Sequence, residues 1–550
     1  MKVVIACLNS KFVHASLSPW CLLAGVRAFA TTPCEATVKE STVNADTEAF
    51  AREILAERPA VVALSCYIWN ITKTLALCRL LKQHGDCEIV LGGPEAAYRP
   101  QELLKRYPFV DYVLSGEGEW AFPSFLDHRN GELSAVCGLT YRENGAILTN
   151  PVREYKDTPP SPYCDEFFEQ LNGRISYIET SRGCPYRCAF CLSGRCSPLR
   201  FFELEGVKRD LLRLASSGTQ TVKFVDRTFN ADAERANEIL RFIRTHYGRE
   251  IPSGVCFHFE IAGDILKDST LRILSSMPHG AVQLEIGMQS FNEDVLRAVN
   301  RKTDTNKLIR NIRTLLSFRN MHIHIDLIAG LTGEDLESFR RSFRIAYDLR
   351  AHMLQMGFLK LLHGAAMREE PERYPCTFAD EPPYEVTSTP WLSGEELRRL
   401  KGCEDALDRL YNSGRFLYSL SYLTEEVGLE PFELFCEFGN AFRGDSLSLT
   451  AYTERFYTFF ADRCDKAALR DAILCDLLCC SSLTQAPKAL LPQDPLYKRA
   501  KRCVARMHGT AVKAVWLSSK GQLAVVDPSK PKNFHGRSEP IFYRLEDLPL

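Results

Sequence analysis

The chain has 550 residues, 68 Lys and Arg against 69 Asp and Glu, a formal net charge of −1 and 45% hydrophobic residues. It can build several cores, and roughly two to four domains are expected; charges of both signs are interspersed, which excludes a chain-wide commitment to nucleic acid or anionic membrane. The start MKVVIACLNS is too short an apolar stretch for a signal peptide and no window approaches a membrane span, so a cytoplasmic protein is expected.

The 21 cysteines are mostly isolated in apolar segments, as at Cys7, Cys21, Cys66 and Cys78. With no export signal they read as buried thiols in a reducing compartment.

Residues 1–127 alternate apolar strands (Val3–Cys7, Ala36–Ser41, Val61–Tyr67, Glu88–Gly92, Tyr112–Ser115) with helical stretches, the pattern of a doubly wound parallel sheet. Ligands of such sheets sit beyond the carboxyl ends of the strands. Those ends carry Asn9–Ser16, Ser65–Tyr67, Gly92–Pro94 and Gly116–Glu119, which are expected to line one crevice. Glu143–Gly145 turns a hairpin, and the run Pro159–Pro162 reads as a linker.

A second series begins at Ile175. Strands Ile175–Thr180, Val222–Asp226, Val255–Phe259, Val282–Gly287, His322–Ile328 and Leu354–Leu361 alternate with helices such as Gly206–Ala215, Ala233–Thr245 and Leu336–Leu349. Six βα units are too few for a full barrel and fit a partial one, with chemistry at the carboxyl ends of the strands. After Pro371 the sequence turns Pro-rich, then helical and aromatic (Arg409–Leu423, Pro431–Phe442, Tyr452–Ala461), with short strands Ala514–Leu517 and Leu523–Val526. The expected fold is α/β: a flavodoxin-like domain over 1–150, a partial (β/α)6 barrel over 151–370 and a mainly helical domain over 371–550.

The first barrel strand runs into Thr180-Ser-Arg-Gly-Cys184-Pro-Tyr-Arg-Cys188-Ala-Phe-Cys191. Three thiolates on one compact loop can hold three irons of a cubane and leave the fourth open to a small ligand. The rival is a structural zinc site with Cys196 as fourth ligand, but zinc prefers paired cysteines with a second pair at a distance.

This CxxxCxxC loop, with Phe190 before its third cysteine, resembles the signature of the radical S-adenosylmethionine (SAM) superfamily. The resemblance implies a [4Fe–4S] cluster on Cys184, Cys188 and Cys191, SAM chelated to the open iron, and reductive formation of a 5′-deoxyadenosyl radical. It further implies that Asp226 meets the SAM amino group, although Arg227 replaces the commoner acidic residue. Glu285 and Gln289, in Leu284-Glu-Ile-Gly-Met-Gln289, resemble the fourth-strand motif near the ribose. Gly330, in Asp326-Leu-Ile-Ala-Gly330-Leu-Thr-Gly333-Glu334, resembles the glycine motif beside adenine. The alternative for Asp226 and Glu334 is that they cap the helices that follow.

A flavodoxin-like domain ahead of such a barrel resembles the cobalamin-binding class of the superfamily, with Ser65 and the pair Gly92–Gly93 where the nucleotide tail of cobalamin is accepted. No Asp-x-His-x-x-Gly occurs, and His14 reads as a polar loop residue. Bound cobalamin and an empty covering domain both remain open. The C-terminal stretch, including Pro382-Pro-Tyr-Glu-Val and Tyr411-Asn-Ser-Gly-Arg-Phe, resembles the uncharacterised domain DUF4080.

Lys360, His363 and Arg368 are further candidates for an anionic group, and His258 and Glu260 are expected to point toward the barrel mouth; ion pairing is the alternative for each. Cys475, Cys479 and Cys480 read as buried thiols, and the aromatic runs as core. The resemblance implies a radical enzyme acting on a small molecule, with flavodoxin or ferredoxin as electron donor. With cobalamin the expected outcome is methyl transfer to an unactivated carbon; without it, a lyase or rearrangement such as queuine-type base salvage. A non-catalytic iron–sulfur or zinc protein is the reading from another class.

Overall fold

The computed structural model describes residues 1–196, 198–444, 446–480, 482–491, 495–508 and 512–547. The chain divides into two units: Met1–Gly287 with Leu296–Met321 and Leu359–Thr389, and Met288–Val295 with His322–Phe358 and Pro390–Leu550.

In the first unit, β1 (Lys2–Asn9), β2 (Glu35–Thr42), β3 (Val61–Ser65), β4 (Glu88–Gly92), β5 (Tyr112–Leu114), β6 (Leu139–Glu143) and β7 (Ala146–Thr149) form one sheet in the order β2-β1-β3-β4-β5-β6-β7. The first five are parallel and the last two add antiparallel. β1 and β3 are interior strands, and nearly every residue in them is apolar and buried, as a strand covered on both faces requires. The β6–β7 hairpin turns through Asn144 and Gly145, both with positive φ, the backbone that a tight hairpin needs. The crevice at the β1/β3 switch point is where sheets of this order bind ligands.

The same unit then builds β8 (Ser176–Ile178), the short antiparallel pair β9 (Ser181–Arg182) and β10 (Arg200–Phe201), β11 (Thr221–Phe224), β12 (Cys256–Ile261) and the start of β13 (Val282–Gln289). β8, β11, β12 and β13 are parallel neighbours in that sequence. Val282, Leu284, Ile286 and Met288 alternate as buried residues along β13, leaving Gln283, Glu285 and Gln289 on the opposite, partly open face. β8 is shorter than the sequence pattern implies because the chain leaves the ladder at Glu179 to begin the cysteine loop. Beside it, the loop after β1 pairs with the barrel edge: Ile175 N–H donates to Val13 O at 2.9 Å and Ala15 N–H to Ile175 O at 3.3 Å. β14 and β15 belong to the second unit, where His322–Ala329 and Met353–Phe358 pair in parallel, so all six strands of the expected partial (β/α)6 barrel are present.

β16 (Thr377–Phe378) and β17 (Val386–Ser388) make a small hairpin in the first unit. In the second, helices Gly394–Ala406 and Pro431–Phe442 approach so closely that a Cβ on Gly439 would lie 1.8 Å from Gly402 O. The stretch expected as one helix over 409–423 is broken: wide helical turns over Leu407–Asn412 and Tyr422–Glu426 flank a short α-helix, Leu417–Ser421, and Gly414 takes φ +67°. The break lets Asn412 reach back to the strand, accepting from Leu354 N–H and donating to Leu354 O. The aromatic runs pack against one another, Phe416 on Phe456 and Phe438 on Phe456. Three antiparallel strands, β18 (Lys513–Leu517), β19 (Gln522–Val526) and β20 (Ile541–Arg544), close the chain.

Candidate functional site

The cysteine loop leaves the carboxyl end of β8 and is held at several points. Ala189 N–H donates to Val299 O (2.8 Å), Met367 N–H to Ala189 O (3.0 Å) and Asn300 Nδ2 to Arg187 O (2.8 Å). Polar groups surround the three sulfurs: the Thr228 hydroxyl is 3.4 Å from Cys184 Sγ, Ser193 N–H donates to Cys191 Sγ at 3.4 Å, and an Arg301 N–H donates to Cys188 Sγ at 3.8 Å. Burial pushes the Cys188 thiol up, and the guanidinium of Arg301 opposes that shift. Three sulfurs facing hydrogen-bond donors and a cation fit thiolate ligands of an anionic cluster. Phe190 lies half-buried between the second and third cysteines. The side chain of Cys196, the fourth ligand of the zinc alternative, lies outside the described residues.

The tightness of this loop rests on Gly194, which carried no signal in the sequence beyond its place three residues after Cys191. A Cβ there would stand 1.7 Å from Tyr186 O. Gly194→Ala must displace backbone of the loop, at about 1–3 kcal/mol or more. Iron and sulfide per chain after anaerobic reconstitution are expected to fall sharply, whereas Gly131→Ala, whose Cβ meets nothing nearer than 3.8 Å, is expected to load normally.

Asp226 is buried just beyond β11, and its oxygens face the chain that precedes the cysteines. It accepts from Thr180 N–H (3.0 Å), Thr180 Oγ1 (2.7 Å) and Ser181 Oγ (2.5 Å). Burial raises its pKa to about 6 against the pull of these donors. Neither Asp226 nor Glu334 caps a helix: the caps are Asp232, accepting from Arg235 N–H, and Asp335, accepting from Ser338 N–H.

Two residues before Cys184, Arg182 is clasped by three carboxylates: Glu117 at 2.6 Å, Glu119 at 2.8 Å and Glu179 at 2.7 Å. Arg200 shares Glu117 at 2.8 Å. The Gly116–Glu119 loop, expected to line the crevice, is thus engaged with the start of the cysteine loop. His14 is likewise engaged, its Nδ1 2.6 Å from the Tyr177 hydroxyl on β8.

On the open face of the barrel sheet, Tyr177, Lys223, His258 and Gln283 stand abreast on adjacent strands, with Glu260 and Glu285 paired one step further on. Glu285 Oε2 lies 2.9 Å from His258 Nε2 and 3.4 Å from Lys223 Nζ, and Lys223 also lies 3.8 Å from Glu260.

In the second unit, Gln289 ends β13 at φ +70° and its buried Oε1 has no hydrogen-bond partner. Left-handed backbone on a non-glycine residue and an orphaned buried oxygen both cost free energy, a combination that clusters where ligands bind. Gly330 supplies a φ of +93° after β14. Glu334 is fully buried, accepts from Ser290 Oγ at 2.6 Å, and keeps its Oε2 without a partner. Burial raises its pKa to about 8. Because the folded value lies above the ordinary 4.5, the protonated carboxyl's contribution is fully present below that pH and lost as pH rises toward 8, at up to about 1.4 kcal/mol per pH unit. Glu334→Gln is therefore expected to be more stable than the parent at pH 9 and to gain little at pH 4.5. Denaturant midpoints at the two pH values check this.

In the N-terminal crevice, Ser65 is buried and accepts from Ser18 Oγ at 3.0 Å. Gly93 needs to be glycine for the fold itself, with φ +93° and a virtual Cβ 2.6 Å from Cys66 O; Gly92 is less confined. Around the same strand ends Phe12 and Trp69 are exposed, and Trp69 stacks on Tyr67 at 4.4 Å. Lys360, His363 and Arg368 gather elsewhere. Arg368 lies over the Tyr384 ring, His363 meets that ring at a steep angle, and the backbone of Lys360 pairs antiparallel with that of Glu385. Cys475 and Cys479 are buried beside the Arg537–Asp476 pair.

Three family models match consecutive stretches: B12 binding domain over 6–126, Radical SAM superfamily over 178–346, and Protein of unknown function (DUF4080) over 372–518. Residues 178–346 thus match the radical SAM superfamily model. The B12-binding match lies ahead of that stretch in the sequence and the DUF4080 match behind it. Among curated proteins the chain is 30% identical to a 2-(S-pantetheinyl)-carbapenam-3-carboxylate methyltransferase of Streptantibioticus cattleyicolor and 30% identical to the cobalamin-dependent radical SAM methyltransferase TokK of Streptomyces tokunonensis; each match covers 51% of this chain and 44% of the relative. The chain thus spans under half the length of these relatives. Among solved structures it resembles TsrM from Kitasatospora setae with cobalamin and a [4Fe–4S] cluster bound (TM-score 0.58, 16% identity, 72% of this chain and 80% of that one). It also resembles OxsB with aqua-cobalamin and SAM bound (TM-score 0.60, 14% identity, 92% and 75%). Both likenesses concern the fold. No helix among the described residues is long and apolar enough to cross a membrane.

Proposed function

We propose that this protein is a cobalamin-dependent radical SAM methyltransferase acting on a small molecule. The observation that carries the reading is the three-thiol loop at the carboxyl end of β8, its sulfurs faced by Thr228, Ser193 N–H and Arg301, in a chain that also holds a B12-binding domain. When bound, the cluster supplies an electron to SAM and the cobalamin carries the methyl group. Cys184, Cys188 and Cys191 would hold the cluster, and Phe190 would border the SAM bound to it. Asp226 keeps the preceding chain in place through Thr180 and Ser181. Glu285, Gln289 and Gly330 would receive SAM. The orphaned Gln289 Oε1 supports this, since a ligand N–H or O–H would satisfy it.

For cobalamin, the support is the sheet order and the exposed aromatic rings at its carboxyl edge, which suit a large flat macrocycle; Ser65, Gly92 and Gly93 would border its nucleotide tail. His14 is held by Tyr177 through its Nδ1. Methyl transfer is favoured over lyase chemistry because the two 30%-identical curated relatives are methyltransferases by name. Flavodoxin or ferredoxin is the proposed electron donor.

The test is anaerobic reconstitution with iron, sulfide and hydroxocobalamin, followed by SAM and dithionite. Retained cobalamin near one per chain, together with 5′-deoxyadenosine and S-adenosylhomocysteine, is the expected result. 5′-Deoxyadenosine without retained cobalamin would overturn methyl transfer in favour of a lyase or rearrangement. A metal site without SAM cleavage would overturn the radical reading.

A further inference from the structure

We infer that His258 and Lys223 are positioning residues for Glu285, fixing its carboxylate on the open face of the barrel so that it can receive the ribose hydroxyls of SAM. The inference rests on the proposed role of Glu285 in SAM binding. Its basis is geometric. The three residues sit on three adjacent strands, β12, β11 and β13, with Lys223 directly opposite His258 across the β11–β12 ladder and Glu260 directly opposite Glu285 across β12–β13. One oxygen of Glu285, Oε2, receives both neighbours, His258 Nε2 at 2.9 Å and Lys223 Nζ at 3.4 Å. His258 is nearly buried, and it grips the carboxylate from the adjacent strand through a short, rigid side chain.

A glutamate side chain has three rotatable bonds, and ligand binding to its carboxylate must restrict them. Two donors that hold one oxygen remove that freedom before the ligand arrives. Lys223 has a second use, since its ammonium also reaches Glu260 at 3.8 Å. It spaces two like-charged carboxylates that otherwise repel across neighbouring strands. Glu285 therefore keeps one orientation whether or not ligand is present.

The experiment is the dissociation constant of SAM itself for the reconstituted, unreduced holoenzyme, measured by anaerobic equilibrium dialysis, with iron per chain and the cluster spectrum recorded for each variant. Glu285→Ala is expected to weaken SAM. His258→Ala and Lys223→Met are each expected to weaken it about tenfold, the worth of a charge-assisted hydrogen bond, with iron content unchanged. His258→Gln, which keeps a donor, is expected to recover part of the loss. In the Glu285→Ala background, His258→Ala should cost nothing further, because a residue that acts only through Glu285 has nothing left to position.

The outcomes separate the two readings. If Glu285→Ala binds SAM as the parent does, the assignment of Glu285 to SAM fails. If Glu285→Ala weakens SAM but His258→Ala and Lys223→Met do not, or if the losses add in the double variant, the positioning inference is overturned while the assignment stands. Should His258→Ala fail to load its cluster, Lys223→Met and its double variant with Glu285→Ala carry the same test.

Discussion

Replacing Cys188 by alanine is expected to abolish cluster assembly and reduce SAM cleavage to background. Cys188 is the middle of the three thiols and is buried, with the Arg301 guanidinium set 3.8 Å from its sulfur. Removing the sulfur leaves one iron corner without a ligand, and burial keeps water from filling in cheaply. Changes to groups that merely orient a metal ligand cost about 10–100-fold in metal affinity or activity, so loss of a ligand should exceed that range. The informative companion is Cys196→Ala. An open cluster on three thiolates loads iron and sulfide normally in that variant. A zinc site or a closed cluster with four thiolates loses its metal in both. Iron, zinc and sulfide analysis after anaerobic reconstitution separates these outcomes without any turnover.

The layout of the barrel is legible in the sequence because its strands alternate so regularly. On β13, apolar residues at every second position are buried and the polar ones between face inward, which is the pattern a strand reader looks for. The cysteine loop is legible because its three cysteines lie within eight residues of chain. What holds that loop is not legible. Asp226 meets Thr180 and Ser181 across 46 and 45 positions, and Arg301 reaches Cys188 across 113. No local period announces such pairs, and acidic residues after strands are more often caps. Here the caps lie a few residues away, at Asp232 and Asp335. The same holds for the broken helix over 407–426: its apolar spacing continues through the wide turns, so periodicity cannot register the break. The position of the loop Gly116–Glu119 after a strand places it at a ligand crevice; that its glutamates pair with Arg182 and Arg200 is announced by no local pattern.

Those glutamates lead to the second large effect. Arg182→Met is expected to destabilise the region around β8 and β9 by about 3–5 kcal/mol, the usual consequence of removing one partner from a buried ion network. Burial works against the guanidinium's charge, but Glu119 and Glu179 more than offset it and hold the charge in place. With Arg182 gone, Glu119 and Glu179 lose that cation and Glu117 keeps only Arg200, so buried carboxylates crowd one another with too little positive charge. The exposed pair Arg27–Glu166, at 2.7 Å but about half exposed on both sides, is the contrast: Arg27→Met should change stability by less than about 1 kcal/mol, and added salt should erase even that. Arg182→Lys should fall between, since an ammonium cannot fork to three carboxylates. Hydrogen exchange of the amides of residues 176–184 is the measurement, because it reports the opening of this segment separately from unfolding elsewhere in a large chain. Protection lost in Arg182→Met, insensitive to salt, fits a network that anchors the cysteine loop to the N-terminal sheet. Protection kept within about 1 kcal/mol of the parent would mean the carboxylates relax into water, and that Asp226, the Ala189 hydrogen bonds and the Asn300–Arg187 bond suffice to hold the loop.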